Sequence, residues 1–585
     1  MLTLPVFITI GMIVPVILSP LLLLSTYKVR KSLFTIIISI LAFLAIYNLT
    51  NGLGTGFIQT SELNLGKVLN FSAHPYNRIM LFGFTFVGSL ALWFGYNSLT
   101  AQEKALAVWA VVSAIGVSLA SNFITLFLFW ELLTLSVAGI IIIGAAEKQK
   151  TYLGLRFLYM HIVGGLLMLA GILLHFAETE SFAIQTPENG LIFFIIAIAV
   201  KSAFLPLHIW VAWSYPTANL AASVLLSGLT TKVGVYAIAR ILPPHEGIVL
   251  MGATMALMGI TCALLQSNLR NLLSFHIISQ VGYMVAGVGL GTSLAVDGGM
   301  LHIVNHMLYK ALLFMSAGSL LYSLRTENIK ELIHEHDQRT TNVYRVIPVA
   351  FIGALFGSLS ISGIPPFNGF VSKYLLKTAF EGAGIFQWML LLASLGTAAS
   401  FSKFVYLGFI KGKGQVKYNL PSSMKFAILV ASAFTLILGI FPKLMSQQIP
   451  YSSSLEVYSL PGIQDALLLG LGGIVIFYLI RNPLQSGVHI PDVFSADYII
   501  TSTFRTVYSS MELVMMALTE LYTDDIPVTN TDITKSGDSE EKHTAKLTNL
   551  NLSWLTIKNI NFDQLLVLMV LIVIITTLTI FASNW

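Results

Sequence analysis

The sequence predicts an all-α polytopic membrane protein of about 16 transmembrane helices, each near the length that a bilayer crossing requires. Three observations carry this. The 585-residue chain is 56% hydrophobic and only 10% charged, whereas soluble proteins carry about 25% charged residues. Apolar runs of about 17–25 residues recur along it. Basic residues gather on alternate loops, as the positive-inside rule requires.

The runs lie near 4–25, 33–50, 78–97, 105–120, 122–144, 153–176, 190–213, 219–241, 247–265, 271–291, 298–323, 346–381, 386–410, 425–446, 464–481 and 562–582, with 346–381 taken as one broken helix. The first, Leu4 to Leu24, has no basic residue before it and Lys28, Arg30 and Lys31 after it. A secretory signal has the opposite polarity, so this reads as a retained span. The net charge of +5 is small, and its placement matters more than its size. With the N-terminus outside, the inner loops hold Lys28, Arg30, Lys31, Lys104, Lys148, Lys150, Arg325, Lys330, Arg339, Arg345, Lys411, Lys413, Lys417 and Arg481. The outer loops hold Lys67, with Arg78, Arg240 and Lys443 at span ends, and the acidic Glu178, Glu180 and Glu188. This asymmetry supports the count and the orientation. It places both termini on the outer face of a cell's inner, cytoplasmic membrane. Beyond the fifteenth run, residues 484–522 are mixed and look amphipathic around Thr503–Leu521, and 523–548 are polar and charged. A solvated linker or lateral helix is expected there, before a detached last span.

Lys201 is the most informative residue. It lies in the apolar run from Gly190 to His208, where a mid-membrane lysine costs about 2.5–3.5 kcal/mol on insertion scales. Pro206 follows five residues later and lacks the N–H that an unbroken helix needs. His161-Ile-Val-Gly-Gly resembles His302-Ile-Val-Asn-His, Lys201 and Lys232 are 31 residues apart, and Lys373 and Lys403 are 30 apart. Lys373 follows Pro365-Pro366. The sixth to eighth spans thus correspond to the eleventh to thirteenth. An odd offset reverses the crossing direction, which is the inverted-repeat plan of many transporters. The expected divisions are 1–104, N-terminal helices; 105–245 and 246–411, the two repeats; 412–483, C-terminal helices; 484–561, linker or lateral helix; and 562–585, final span.

Charges at membrane depth mark ion pathways by default. Glu131 lies in the middle of the fifth span, Lys201 and Lys232 on the seventh and eighth, and His276 opens the tenth. His302, His306 and Lys310 stand at i, i+4, i+8 on the eleventh, so they share one helix face. Lys373 and Lys403 close the series. An apolar site disfavours the charged form of an ammonium and a nearby carboxylate favours it, so such a pair holds or releases a proton with distance. Histidine titrates near neutrality and suits a relay. The structural alternatives are ion pairs between helices, a span-end cap for His276, and satisfied core histidines. A zinc reading of His302 and His306 lacks an acidic ligand on the same helix. The single cysteine, Cys262, excludes an internal disulfide, a thiolate iron–sulfur cluster and a Cys-rich zinc site. No glycine-rich phosphate loop follows a strand pattern. No cofactor, metal, catalytic redox site or nucleic-acid partner is therefore expected.

Several motifs resemble one superfamily. They are Trp130-Glu131-Leu, Ala199-Val-Lys201-Ser-Ala-Phe-Leu-Pro206-Leu-His208-Ile-Trp210, Leu229-Thr-Thr-Lys232-Val-Gly-Val-Tyr236, Ser274-Phe-His276 through Tyr283-Met, His306-Met-Leu-Tyr-Lys310, and Gly363-Ile-Pro-Pro-Phe-Asn-Gly-Phe-Val-Ser-Lys373. Over roughly residues 105–410 the chain resembles the antiporter-type subunits of respiratory complex I, the D-type subunits of Mrp multisubunit cation/proton antiporters, and related subunits of membrane-bound hydrogenases. The resemblance implies two inverted five-helix units with broken seventh and twelfth helices. It implies Glu131 paired with Lys201, Lys232 as a connector, His302, His306 and Lys310 along a central polar axis, and Lys373 as the terminal site. Lysine rather than glutamate at 373 is similar to the Mrp D type and to the distal complex I subunit. The tail is too short for the full lateral-helix version seen in that superfamily.

The expected function is a non-redox, proton- or cation-translocating subunit, partnered by other membrane subunits and driven by a redox or hydrogenase-like module or by exchange with sodium. The alternative is a membrane subunit energising a non-redox partner, such as a soluble zinc protein in inorganic-carbon uptake. A third reading, a spacer with vestigial charges, conflicts with the full set of matched charges.

Overall fold

The computed structural model of the chain describes residues 4–50, 63–65, 69–144, 148–334, 341–450 and 456–486. The expected final span, nearly all of the 484–561 segment, Lys67, Arg339 and the side chains of Lys148 and Lys150 lie outside the described residues. Among the described residues, thirteen helices are long and apolar enough to cross a membrane, and two further spans are each built from two half-helices. These match the first fifteen expected spans in order, and the chain is a multi-pass membrane protein.

The spans are α1 (Pro5–Leu24), α2 (Tyr27–Thr50), α3 (Asn77–Phe94), α4 (Ala101–Leu119), α5 (Phe123–Ile143) and α6 (Lys148–Thr179). Next come the half-helices α7a (Leu191–Lys201) and α7b (Ile209–Thr217), then α8 (Leu220–Ile241), α9 (Glu246–Leu265), α10 (Leu269–Leu290) and α11 (Ser293–Leu324). The half-helices α12a (Pro348–Ser362) and α12b (Asn368–Ala379) follow, then α13 (Ile385–Ile410), α14 (Ser422–Ile440) and α15 (Leu460–Ser486). Helices outrun the apolar runs where polar residues continue the turn. α2 begins at Tyr27 rather than 33, so Lys28, Arg30 and Lys31 are helical. Long cationic side chains are good helix formers, but they hide a helix end from a hydropathy window. Several starts are capped by side chains. The Thr100 hydroxyl accepts from the Glu103 N–H at 3.2 Å while Glu103 Oε2 accepts from the Thr100 N–H at 2.8 Å.

The sequence repeat is visible in the elements. α6 and α11 each have 32 residues, and each is followed by a broken span. Each break holds a left-handed residue, Ala203 at φ 58° and Gly363 at φ 77°. Left-handed backbone is free to glycine but costs a residue with a Cβ about 1–2 kcal/mol, so the alanine beside Lys201 is held there by its surroundings. Neighbours re-satisfy the freed backbone. The Trp210 indole donates to the Val200 carbonyl at 2.9 Å. At the second break the Gly369 N–H, one of the first of α12b, donates to Ser360 Oγ at 3.1 Å, while Asn305 ties α11 to α12b through the Asn368 carbonyl at 2.8 Å and side chain at 3.0 Å. Two glycines let whole helices lie against the breaks. A Cβ on Gly234 of α8 would sit 2.4 Å from Ser202 Oγ, and one on Gly439 of α14 would sit 2.0 Å from the Pro366 carbonyl.

At one end of the bundle, Arg270 Nε donates to Glu327 Oε2 at 2.7 Å and its Nη1 to the Ala218 carbonyl at 3.0 Å. This buried pair ties the start of α10 to the segment after α11 and to the end of α7b. At the other end, Arg240 Nη2 meets His74 Nε2 at 2.8 Å. His74, in the loop before α3, has its pKa lowered to about 4, first by burial and then by the Arg240 charge.

Two outcomes follow for stability. Gly234→Val, which drives a side chain into Ser202, lowers the thermal midpoint of the purified protein by the equivalent of about 1–3 kcal/mol. Gly318→Ala, whose Cβ meets only ordinary 3.6 Å contacts, leaves it unchanged. The His74 pKa is depressed, so the unfolded chain binds the extra proton first. Its contribution is present above pH about 6.5 and is lost as pH falls towards about 4. His74→Gln flattens the stability profile across that window, as thermal scans at stepped pH will read.

Candidate ion-translocation site

Every residue expected to carry ions lies inside the bundle. Lys201 and Lys403 are 1% exposed, and Lys232, His276, His302, His306 and Lys310 are fully buried. Glu131 and Lys373 are half-buried along their stems, but Glu131 Oε1 and the Lys373 ammonium are buried.

Lys201 is the last residue of α7a. Its ammonium donates to Thr134 Oγ1 at 2.6 Å and to the Trp130 carbonyl at 3.3 Å, and sits 4.8 Å from the Trp130 ring. Glu131 is the next residue along α5, but no direct ion pair with Lys201 occurs among the described residues. Its carboxylate instead fills the notch left by Gly165 on α6, where a Cβ would be 2.0 Å from Oε1. The two charges are neighbours held apart by the turn of α5 that carries Thr134.

Lys232 follows on α8, its ammonium bonded to Thr231 Oγ1 at 3.0 Å. α11 then presents its face of three. Lys310 reaches across to the Leu273 carbonyl of α10 at 3.0 Å. His302 is bonded on both nitrogens, Nδ1 with Ser372 Oγ at 2.9 Å and Nε2 with Gln280 Oε1 at 3.2 Å, and the Tyr309 hydroxyl lies 3.3 Å from the same Nε2. His306 lies between them, its ring 6.4 Å from that of His302. Neither of its nitrogens has a partner, and Lys232, Lys310, His302 and His276 all lie within electrostatic reach. His276 Nε2 meets Ser400 Oγ at 2.8 Å while its Nδ1 is unbonded. Lys373 on α12b directs its unbonded ammonium over the Tyr283 ring at 5.3 Å.

Lys403 is held differently. Its ammonium donates to the Leu264 and Gln266 carbonyls at 2.7 Å each. These are orphan acceptors at the end of α9, where a cation also suits the helix dipole. It caps a helix at the edge of the row.

Folded proteins leave few buried polar atoms unsatisfied. Glu131 Oε1, His276 Nδ1, both His306 nitrogens and Lys373 Nζ are in that condition, as are atoms elsewhere in the bundle such as His161 Nε2, His208 Nδ1 and Ser358 Oγ. Such atoms are where water or a transferring proton completes the bonding. The linear reading missed the uncharged members: Thr134, Gln280, Tyr309, Ser372, Tyr283 and Ser400. The signal was faint but present. Gln280 and Tyr283 lie inside the quoted Ser274–Met284 motif, and Ser372 precedes Lys373. An amide or hydroxyl at membrane depth is inexpensive enough to pass as packing.

Comparisons with known proteins agree with this architecture. The family model for the membrane domain of NADH:quinone oxidoreductases and Mrp antiporters matches residues 120–398. The A-type subunit of the Na(+)/H(+) antiporter of Alkalihalophilus pseudofirmus is 23% identical over 86% of this chain and 72% of its own length. A chain of the Mrp complex from Dietzia sp. superposes with a TM-score of 0.69 at 20% identity, over 80% of this chain and 100% of that one. A chain of the membrane-bound sulfane sulfur reductase, an archaeal respiratory membrane complex, gives 0.66 at 18% identity, over 82% and 99%. Residues 120–398, from just before α5 into α13, carry the membrane domain of the NADH:quinone oxidoreductase/Mrp antiporter superfamily.

Proposed function

We propose that this chain is a proton- or cation-translocating membrane subunit of a multisubunit complex, exchanging protons with sodium. Protons move along Glu131, Lys201, Lys232, His306, Lys310, His276 and His302 to Lys373, with Lys403 closing the row at the end of α9. The observation that carries this reading is His306. A wholly buried imidazole with two unbonded nitrogens is costly to keep, and it sits amid four other titratable groups. A satisfied core histidine has no reason to be arranged so. The relative described as part of an Na(+)/H(+) antiporter supports the choice of ions. The assembled complexes among the structural neighbours support the expectation of membrane partners.

The sites act as a coupled set. When Lys201 leaves Thr134 and turns towards Glu131, the ion pair favours its charged form. When it turns back, the ammonium is held by neutral acceptors alone and gives up its proton more readily than in the ion pair. Thr134 and the Trp130 carbonyl define the turned-away position seen here. Lys232 then passes charge to the α11 face, and Gln280 with Ser372 fixes His302 at the approach to Lys373. The broken helices supply irregular backbone where water is admitted. A redox module or a soluble zinc partner would supply the drive in the competing readings. Proteins copurified with this chain decide between them.

Two measurements test the path. Lys201→Ala abolishes coupled ion movement in membrane vesicles while the complex still assembles, and undiminished pumping in that assembled variant would sink the proposal. His306→Leu removes two unsatisfied nitrogens, so it leaves thermal stability equal or higher. It lowers transport about a hundredfold, the scale of a lost proton-transfer group. A marked loss of stability with transport per assembled complex unchanged would make His306 a structural residue.

A further inference from the structure

α12b carries two lysines one turn apart. Lys373 borders a cavity of about 30 Å³ that Tyr283, Lys377, Gln387, Leu391 and Ser394 also line. That volume suits one or two waters, and the Lys373 ammonium there has no other partner. Lys377 lines the same cavity, yet its ammonium is drawn aside into an ion pair with Asp465 near the start of α15. α15 packs mainly on α13, and side chains near its start reach α12b. The Tyr374 hydroxyl meets Ser459 Oγ at 3.3 Å. Gly462 leaves room for the Tyr374 ring, since a Cβ there would be 2.5 Å from Cε2. Lys377 thus stands between the α15 contact and the cavity.

We propose that Asp465 is a positioning residue that holds Lys377 out of this cavity and so keeps a hydrated space open beside Lys373. Side-chain exposures of 28% for Lys377 and 46% for Asp465 place the pair at the cavity rim. The pair lies on the outside of the bundle, so opening it disturbs no core packing. Lys373 and Lys377 at i, i+4 repel when both are charged. A proton on Lys373 therefore drives Lys377 towards Asp465 and keeps water at hand. A neutral Lys373 lets Lys377 swing in and displace it. The space next to Lys373 then opens and closes with its own charge. Only the consequence for transport rests on the translocation reading above; the geometry stands apart from it.

The test uses the full complex in membrane vesicles with Cys262→Ser and a reporter, Leu391→Cys, on the cavity wall. Hydrogen peroxide, a probe of nearly water size, is added, and oxidation of the reporter thiol, read by mass spectrometry, is the labelling. Asp465→Asn slows labelling about fivefold, in keeping with the modest strength of such a pair. Adding Lys377→Ala to the same chain restores the rate, because the side chain that fills the cavity is gone. Unchanged labelling in Asp465→Asn, or no recovery with Lys377→Ala, overturns the proposal. If Asp465→Asn does not assemble, the exchanged pair Lys377→Asp/Asp465→Lys is used. It labels at least as fast as the parent, with no cation left to enter the cavity, and slower labelling overturns the idea. Transport is read in parallel. Undiminished transport in Lys373→Ala defeats the translocation path and leaves the labelling result intact.

Discussion

Hydrocarbon offers no hydrogen bonds, so each backbone group freed by the breaks in α7 and α12 must be bonded by a neighbour. The placement of the site follows from how this is done. Trp210 closes the first break on Val200, which fixes Lys201 at the end of its half-helix. Ser360 closes the second on the Gly369 N–H, and Asn305 with Asn368 fixes α12b against α11. Both lysines are held by the devices that mend the helices beside them. Gly234 and Gly439 complete the bracing by letting α8 and α14 approach the breaks without a side chain between.

A second tension runs along the row joining these lysines. Burying several cations with few carboxylates is unfavourable unless each finds acceptors. The chain answers unevenly. Lys201, Lys232, Lys310 and Lys403 rest on hydroxyls and backbone carbonyls, which stabilise an ammonium without holding it as a carboxylate would. His306 and Lys373 have no hydrogen-bond partner among the described residues, and the Lys373 ammonium faces only the Tyr283 ring. Weak holding at some positions and none at others suits groups whose charge must change. A structural network would be satisfied throughout. The carboxylates near the two ends differ: Glu131 neighbours Lys201 without a direct ion pair, whereas Asp465 pairs with Lys377, one turn from Lys373.

Much of this was legible in the linear chain. Fifteen spans, both breaks and the shared face of His302, His306 and Lys310 came from hydropathy, proline and helical periodicity, which are local properties. The five-span repeat was readable because the lysines and prolines that mark it are scarce in apolar sequence. The uncharged partners were not legible. Thr134, Gln280 and Ser372 resemble any other polar residue at membrane depth until their neighbours are known. Asp465 was hidden for another reason: it sits at a span end, where a carboxylate is ordinary, and only the approach of the start of α15 to α12b gives it Lys377.

The sequence by itself determined that this is an all-α, multi-pass chain with ionisable groups at membrane depth. Those facts follow from residue type and spacing along one strand of polymer, and the bilayer's thickness does the rest. Tertiary structure alone decided who meets whom. Glu131 follows Trp130 directly, yet Lys201 bonds Thr134 and the Trp130 carbonyl, because the side chains of α5 fan out around its axis and Gly165 draws the carboxylate towards α6. Such pairings depend on rotation and close approach between helices that are distant in sequence, and hydropathy carries no information about either.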